Sequence, residues 1–344
     1  MSEERPGVLD GAIPPMENTR LFGHDEAEDF LAQSYRSGKG HHAILIEGPE
    51  GVGKATLAFR FANHVLSNPD PLLAPEHIAD PDPASVVSHA IASGASHNLL
   101  YLARPVDEKT GKVKSAITVD EVRRAGKFFS QTSGTGNWRI VIIDPADDMN
   151  RSAANAILKI LEEPPKRALF LVLSHAPGKL LPTIRSRCLP LRLSPLGDAD
   201  LGAVLAHLDV GADAETSAGL LRDAKGSVSE ALKLLNYGGG EIIVAYRQVI
   251  ASEGPAARKA MHKLADVLSG RESETIFDFF VSHIEDDIMA RARQAAIEGR
   301  VGMAERMARL HSDVSERLTV SQAYNLDRKQ TILTVLGELK QQLA

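Results

Sequence analysis

Residues Gly48 to Thr56 read GPEGVGKAT, and this stretch decides the fold. It matches the phosphate-binding loop pattern G-x-x-x-x-G-K-[ST] at every position except the last, where Ala55 stands in place of serine or threonine. In such loops the backbone N–H groups and the lysine, here Lys54, hold phosphate oxygens, and the hydroxyl holds a magnesium ion. The stretch therefore predicts a phosphate-binding fold with an impaired metal site.

The sequence on both sides of the loop supplies the strand and the helix that a phosphate site requires. HAILIEG, residues 42–48, is a short apolar run typical of a buried strand, and apolar residues then recur at helical spacing from Leu57 to Leu66. Thr56 lies about 100° further round that helix than Ala55, so it cannot simply replace the missing hydroxyl. A purely structural role, in which the glycines only pack a strand against a helix, is the alternative. The candidate nucleotide-binding residues of the loop are Gly48, Gly51, Gly53, Lys54 and Thr56.

Two further apolar runs predict strands that accompany the first. WRIVIID ends in Asp144, and ALFLVLS ends in Ser174, with an amphipathic helix between them that Pro164 and Pro165 terminate. Strands that alternate with helices indicate an α/β fold with a doubly wound, mostly parallel sheet. Ligands bind such sheets at the carboxyl ends of the strands, so the glycine loop, Asp144 and Ser174 are expected to lie together.

The residue after Asp144 disfavours hydrolysis. In working nucleotide motors this aspartate orients magnesium, and a glutamate directly after it activates the attacking water. Here Pro145 follows Asp144, and proline offers no base. Asp147 and Asp148 come shortly afterwards and are predicted to cap the start of the next helix rather than to replace the base.

The pattern along the chain predicts several domains. Residues 1–17 contain prolines and no periodicity, which predicts a flexible lead-in, and the proline-rich segment 67–100 is predicted to be an insertion or a long surface loop. The glycines at 238–240 predict a linker. The predicted domains are a P-loop core at 18–195, a small helical lid at 196–237 and a C-terminal helical bundle at 241–344.

Composition excludes several classes of protein. The chain of 344 residues has a net charge of −6, which disfavours a broad DNA-binding face because phosphate binding needs excess Lys and Arg. No apolar run approaches the roughly 20 residues that span a bilayer, so a cytoplasmic protein without membrane contact is expected. Cys188 is the single cysteine, and His77, His89 and His97 match no zinc pattern, so neither a disulfide nor a metal site is expected.

The run NRSAANAILKILEEPPKRALFLVLSHAPGKLLPTIRSRC, from Asn150 to Cys188, resembles the clamp-loader branch of the AAA+ ATPases. Members of that branch carry a helix that ends in LEEPP, a sensor strand and a Ser-Arg-Cys triplet. The resemblance covers residues from about 20 to 235 by motif and continues to the end of the chain by architecture only. It implies an AAA+ P-loop core, a helical lid and a C-terminal helical collar for oligomerisation.

The resemblance also implies roles for particular residues. Arg187, in the triplet Ser186-Arg187-Cys188, would be an arginine finger that acts in trans on ATP bound by a neighbouring subunit. Ser174 or His175 would occupy the first sensor position, and Ser229 stands where the lid of a motor carries an arginine. Segment 67–100 lacks the four cysteines with which many relatives bind zinc, so zinc is not expected. Gly48, Gly51, Gly53, Lys54, Thr56 and Asp144 would be the remains of a nucleotide site that binds ATP or ADP, if at all, without hydrolysis.

With Ala55, Pro145 and Ser229 at three catalytic positions, the resemblance implies a non-hydrolysing clamp-loader subunit without ATPase or polymerase activity of its own. Its partners would be the ATPase subunits of the tau/gamma type and the delta subunit, and indirectly the sliding clamp and primed DNA. Two alternatives remain. The chain could be an active ATPase motor subunit of the same loader, or a P-loop nucleotide-binding protein unrelated to replication.

Overall fold

The computed structural model describes residues 8–107, 111, 113–130, 136–210, 214–270 and 273–343, without the side chains of 214–218. The chain divides into two compact units, Met1–Ala231 and Leu232–Ala344, and each is described by itself below. Residues 1–7 of the predicted lead-in lie outside the described residues.

The first unit is built on a five-stranded sheet in which neighbouring strands pair in parallel. Its strands lie in the order β2-β3-β4-β1-β5, and β3 and β4 are buried along their whole length. Burial on both faces explains why these strands read as continuous apolar runs rather than as alternating patterns. The strands are β1 (Ala43–Glu47), β2 (Leu99–Leu102), β3 (Arg139–Ile143), β4 (Ala168–Ser174) and β5 (Leu189–Arg192).

Helices cover both faces of this sheet. Alternate strand residues such as Ile44 and Leu171 pack with α1, α2 and α3 on one face, whereas Leu45 and Phe170 pack with α4 and α5 on the other. The doubly wound parallel sheet predicted from the sequence is therefore confirmed. The helices are α1 (Asp25–Arg36), α2 (Lys54–Ser67), α3 (Val86–Ala92), α4 (Val119–Ser130), α5 (Arg151–Glu162), α6 (Pro182–Arg185), α7 (Asp198–His207), α8 (Ala214–Ala224) and α9 (Val228–Asn236), and short 3₁₀ turns span Pro71–Leu73, Ala146–Asp148 and Pro177–Lys179.

The prediction that segment 67–100 is a long surface loop was wrong for residues 86–100, and the alternative of an insertion stays a prediction. The segment contains a 3₁₀ turn and α3, and it leads into β2, which pairs in parallel with β3 at the edge of the sheet. Segment 67–100 is also fixed by Arg60 of α2, whose side chain is 3% exposed. The Arg60 guanidinium donates to both carboxylate oxygens of Glu28 on α1, to the Asp80 carboxylate at 2.7 Å and to the Thr19 carbonyl. The many prolines of this segment predicted an irregular backbone. The contact from Arg60 to Asp80 nevertheless holds the segment against α2.

The second unit is helical throughout its described part, which confirms the predicted C-terminal helical region. The prediction of a linker at 238–240 was wrong, because Gly239 and Gly240 are the first residues of a helix. Gly239 is buried, and a Cβ there would come within 2.9 Å of the Lys233 carbonyl and 3.1 Å of the Phe279 ring, so close packing requires glycine. The helices are α10 (Gly239–Ala251), α11 (Gly254–Leu268), α12 (Glu274–Ile297), α13 (Val301–Ala323) and α14 (Arg328–Leu343).

The division between the two units falls inside α9, between Ala231 and Leu232. The sequence predicted the domain boundary a few residues later, at the glycines 238–240. Among the residues that the structure describes, no helix is both long and apolar enough to cross a membrane.

Candidate functional site

The structure brings the predicted residues of the phosphate site to one edge of the sheet. Gly48 follows β1, Asp144 follows β3, and Ser174 is the last residue of β4, while β3, β4 and β1 are neighbours in that order. Since all three strands are parallel, their carboxyl ends meet. Lys54 begins α2 directly after the glycine loop, so its amino group belongs to the same edge.

The glycine loop contacts the predicted lid. Gly51 has a φ of +75°, and its carbonyl accepts a hydrogen bond from the Val228 N–H at 2.9 Å. A Cβ at position 51 would lie 2.3 Å from the Ser227 hydroxyl oxygen and 2.7 Å from the Ser229 nitrogen, so only glycine fits there. Ser229, the predicted counterpart of the lid arginine of a motor, is therefore packed directly on the loop.

Lys54 is buried, with 4% of its surface exposed, and binds the loop itself. Its Nζ donates to the Gly48 carbonyl at 2.7 Å and to the Pro49 carbonyl. Burial lowers the pKa of Lys54 to about 8, although the nearby Asp144 carboxylate opposes that shift. A phosphate that bound here would have to compete with the two carbonyls for the ammonium group.

Asp144 is held by a tyrosine that the sequence did not single out. The Tyr101 hydroxyl, on β2, donates to Asp144 Oδ2 at 2.9 Å. Burial raises the pKa of Asp144, whereas the hydrogen bond from Tyr101 and the charge of Lys54 oppose that rise. Burial also raises the pKa of Tyr101. The carboxylate that orients magnesium in a motor is thus engaged by a protein side chain.

The residues at the metal-anchoring positions lack the required chemistry. Ala55 is half-buried and packs against the apolar core between the sheet and α2, whereas Thr56 follows it on the helix and is also half-buried. Within the described ranges, no group of His, Cys, Asp or Glu is arranged to hold a metal ion.

Asp147 supports the end of β4, contrary to its predicted role as a helix cap. Its carboxylate accepts hydrogen bonds from the Ser174 hydroxyl at 2.8 Å and from the His175 N–H at 2.6 Å. The cap of α5 is Asn150, whose side chain accepts from the Ala153 N–H at 2.9 Å. Asp148 instead lies 3.1 Å from Arg104 Nε, so the capping prediction was wrong for both aspartates.

Arg187 lies just after α6 and is joined to the LEEPP motif. Its Nη2 is 2.7 Å from Glu162 Oε1, and its Nη1 donates to the Thr183 carbonyl at 2.8 Å. Glu162 is the last residue of α5 and the first glutamate of LEEPP, so the two motifs that carry the resemblance meet in space. The Arg187 side chain remains 32% exposed, which leaves the guanidinium accessible from outside.

The strand register separates Arg187 from the chain's own phosphate loop. Leu189 of β5 pairs with Ile44 near the start of β1, so Arg187 lies beyond the amino edge of the sheet. Gly48 lies beyond the carboxyl edge, a separation of roughly 15 Å along the strands at about 3.3 Å per residue. An arginine in this position lies at the opposite edge of the sheet from its own chain's glycine loop.

A parallel sheet with a glycine loop after β1, a helical lid and a separate helical unit defines a P-loop core of the AAA+ class. Comparison with known proteins makes the assignment specific. The profile of the family described as DNA polymerase III, delta subunit, matches residues 23–197, and the chain belongs to this family. The resemblance to the clamp-loader branch is thereby confirmed.

Curated relatives agree with the family match. The chain is 35% identical to DNA polymerase III subunit delta' of Pseudomonas aeruginosa over 147 residues, 43% of this chain and 41% of that protein. It is 30% identical to subunit delta' of Escherichia coli over 169 residues, 48% and 46% of the two chains. The tau subunit of Escherichia coli is 25% identical over 284 residues, 81% of this chain and 40% of that one. The chain spans less than half the length of each of these relatives.

Proposed function

We propose that this chain is a non-hydrolysing, delta prime-like subunit of the DNA polymerase III clamp loader. In this role it supplies Arg187 in trans to ATP held by a neighbouring ATPase subunit and helps to load the sliding clamp on primed DNA during replication. The observation that carries the proposal is the placement of Arg187, which is partly exposed, fixed by Glu162 and distant from its own phosphate loop. The family match supports the assignment to this complex.

The chain's own nucleotide site supports the non-hydrolysing role. Position 55 has no hydroxyl, position 145 has no carboxylate, and Ser229 offers no cation. The Lys54 ammonium is bound to loop carbonyls, and the Gly51 carbonyl is bound to Val228. This arrangement does not favour a magnesium nucleotide, and ATP or ADP at Lys54 would share the ammonium with the Gly48 and Pro49 carbonyls.

The chemistry of the proposed finger follows from its charge and shape. When a γ-phosphate is transferred to water, negative charge spreads over its oxygens, and a guanidinium stabilises that charge with a planar fork of donors. The Glu162 carboxylate holds the Arg187 guanidinium in one place before the neighbour binds. Pre-orientation of this kind lowers the entropic cost of forming the contact in the transition state.

The helical unit supports assembly rather than chemistry. Its described helices bury apolar stripes, such as Phe280 and Ile284 on α12, and present no catalytic motif. We assign residues 18–195 to the core, 196–237 to the lid and 241–344 to a collar that joins the tau/gamma-type subunits and the delta subunit. The sliding clamp and primed DNA would be indirect partners, and the cytoplasm is the expected location.

The purified chain should hydrolyse ATP no faster than its Lys54→Ala variant. The metal-anchoring hydroxyl, the water-activating carboxylate and the lid cation are all missing, so only background phosphate release is expected. Steady-state phosphate release from both proteins, at equal concentration and with magnesium, measures this. Turnover that depends on Lys54 and clearly exceeds the variant would identify the chain as an active motor subunit instead.

A chain truncated after residue 237 should stay folded but fail to join the complex. The first unit has its own sheet and core, whereas the collar helices begin with α10. Size-exclusion chromatography of mixtures with tau/gamma and delta subunits, together with circular dichroism of the truncated chain, tests both parts. Incorporation with the affinity of the full chain would show that assembly does not depend on the collar.

A further inference from the structure

A cavity of about 200 Å³ lies at the amino edge of the sheet, opposite to the glycine loop. It is lined by Ile44 from the start of β1 and by Ala168 and Leu169 from the start of β4. About four strand residues at 3.3 Å each separate it from Gly48, so it is a different site from the phosphate edge. Nothing in the proposed function uses it.

Aromatic side chains form one wall of the cavity. Tyr35 packs edge-on against both Trp138, at 5.5 Å between ring centroids, and Phe61, at 6.3 Å. The Tyr35 hydroxyl donates to the Asn68 carbonyl at 2.5 Å, and Trp138 Nε1 donates to the Pro69 carbonyl at 3.1 Å. Both polar tips are therefore satisfied, and the rings present apolar surface to the cavity.

The lining also contains one charged side chain, the Arg167 guanidinium. Arg167 lines the cavity together with His41 and His42, and Lys39 lies between two lining glycines. Arg167 donates one bond, from Nη1 to the Gly136 carbonyl at 2.6 Å, and is otherwise exposed. None of the described residues that line the cavity is acidic, although the chain as a whole carries a net charge of −6.

The apolar surface continues outside the cavity. Pro71 lines the cavity and begins a 3₁₀ turn whose next residues, Leu72 and Leu73, are 71% and 80% exposed. The nearest acidic residue on this turn, Asp70, accepts a hydrogen bond from the Leu72 N–H at 3.1 Å. The two exposed leucines add apolar surface beside the cavity. A small molecule that fills only the cavity would not contact them, whereas a peptide segment would.

We propose that this cavity, with Leu72 and Leu73 beside it, docks a short acidic peptide segment of a partner protein. One bulky apolar side chain of the segment packs against the rings of Tyr35 and Trp138, and the carboxylates of the segment bind Arg167 and the adjacent Lys39. Charge complementarity selects the acidic partner, because the lining offers the Arg167 guanidinium and no carboxylate. The aromatic wall and the exposed leucines supply the anchor.

Trp138 reports on the cavity directly, because it is the only tryptophan of the chain. The full-length protein is titrated with the peptide acetyl-Asp-Glu-Asp-Leu-Phe-amide while tryptophan emission is recorded. A second peptide has lysine at each acidic position, and oligothymidylate serves as a non-peptide polyanion. Saturable change with the acidic peptide, and none with the lysine peptide, is expected.

Variants locate the binding. Arg167→Asn should weaken acidic-peptide binding roughly tenfold or more, the effect of losing a charge-assisted hydrogen bond. Asparagine tolerates the left-handed backbone of position 167, where φ is +58°. Arg123→Asn, which makes the same charge change on exposed α4, should leave binding unaltered. Leu73→Asp should weaken binding without disturbing the fold, because that side chain is exposed.

Several results would overturn the proposal. If tryptophan emission shows no saturable change with the acidic peptide, or if the lysine peptide binds equally well, the cavity does not select an acidic segment. Binding that Arg123→Asn weakens as much as Arg167→Asn would place the peptide elsewhere. Oligothymidylate binding that depends on Arg167, without peptide binding, would identify the cavity as a nucleic-acid contact.

Discussion

Replacement of Arg187 by alanine should lower the ATPase rate and the clamp-loading rate of the reconstituted complex by an order of magnitude or more. Arginine fingers in related phosphoryl transfer raise turnover by roughly 10³ to 10⁵, and the remaining intact sites of the complex reduce the overall loss. The variant should still fold and assemble, because Arg187 is partly exposed and its ion pair with Glu162 contributes little to stability.

The measurement compares complexes of equal composition, purified by size, in ATPase and clamp-loading assays. Arg185→Ala is the matched control, since Arg185 is an exposed arginine on α6 only two residues away. Arg187→Lys should restore little activity, because an ammonium lacks the planar fork. Glu162→Gln should reduce activity less than Arg187→Ala, since it loosens the guanidinium without removing it. Full activity of the Arg187→Ala complex would limit the chain to a scaffolding role.

Arg60→Met should destabilise the first unit by about 3 to 5 kcal/mol, the cost of breaking a buried ion pair from one side. Arg60 is 3% exposed and satisfies Glu28, Asp80 and the Thr19 carbonyl together. Without the guanidinium, the Glu28 carboxylate stays buried with no cation. Urea unfolding followed by circular dichroism measures the change, and the double variant Glu28→Leu with Arg60→Met should recover much of the loss.

The destabilisation should depend on pH in a definite direction. Burial raises the pKa of Glu28, and Arg60 opposes that rise. In Arg60→Met the opposition disappears, so the folded chain holds the Glu28 proton more tightly than the unfolded chain. Stability of the variant therefore falls as pH rises above the ordinary glutamate pKa, and the deficit should be smaller near about pH 5 than at neutral pH. If the loss of stability does not change with pH and the double variant recovers none of it, the loss comes from the packing of the Arg60 side chain and not from its charge.

The central strands could be predicted from the sequence because burial on both faces makes them uninterrupted apolar runs. β3 and β4 are buried at every position, and the glycine loop fixes the end of β1. β2 could not be predicted in the same way. It is a four-residue edge strand, LLYL, that follows a proline-rich segment, and its place depends on pairing with β3.

The contacts between side chains at the site depend on the tertiary structure, and local sequence patterns do not predict all of them. Gly48, Lys54, Asp144 and Ser174 were predicted to share an edge because parallel strands bring their carboxyl ends together. Tyr101 was missed because its strand was missed. Asp147 matched a capping pattern, but the N–H group that it reaches belongs to His175, directly after β4. Glu162 and Arg187 each lay in a recognised motif, and only the fold shows that the two motifs are joined.

The hydrogen bond from Tyr101 to Asp144 bears on how this chain can change over evolutionary time. A serine at position 55 alone would restore one ligand, yet Asp144 would still be held by Tyr101 and Pro145 would still follow it. A phenylalanine at position 101 alone would leave a deeply buried carboxylate without its hydroxyl donor, which costs stability before any activity returns. Neither substitution alone would therefore restore ATP hydrolysis, and the one at position 101 would also lower the stability of the fold. For a subunit with the proposed role, selection could therefore change the contacts with neighbouring subunits more readily than it could restore hydrolysis in the chain itself.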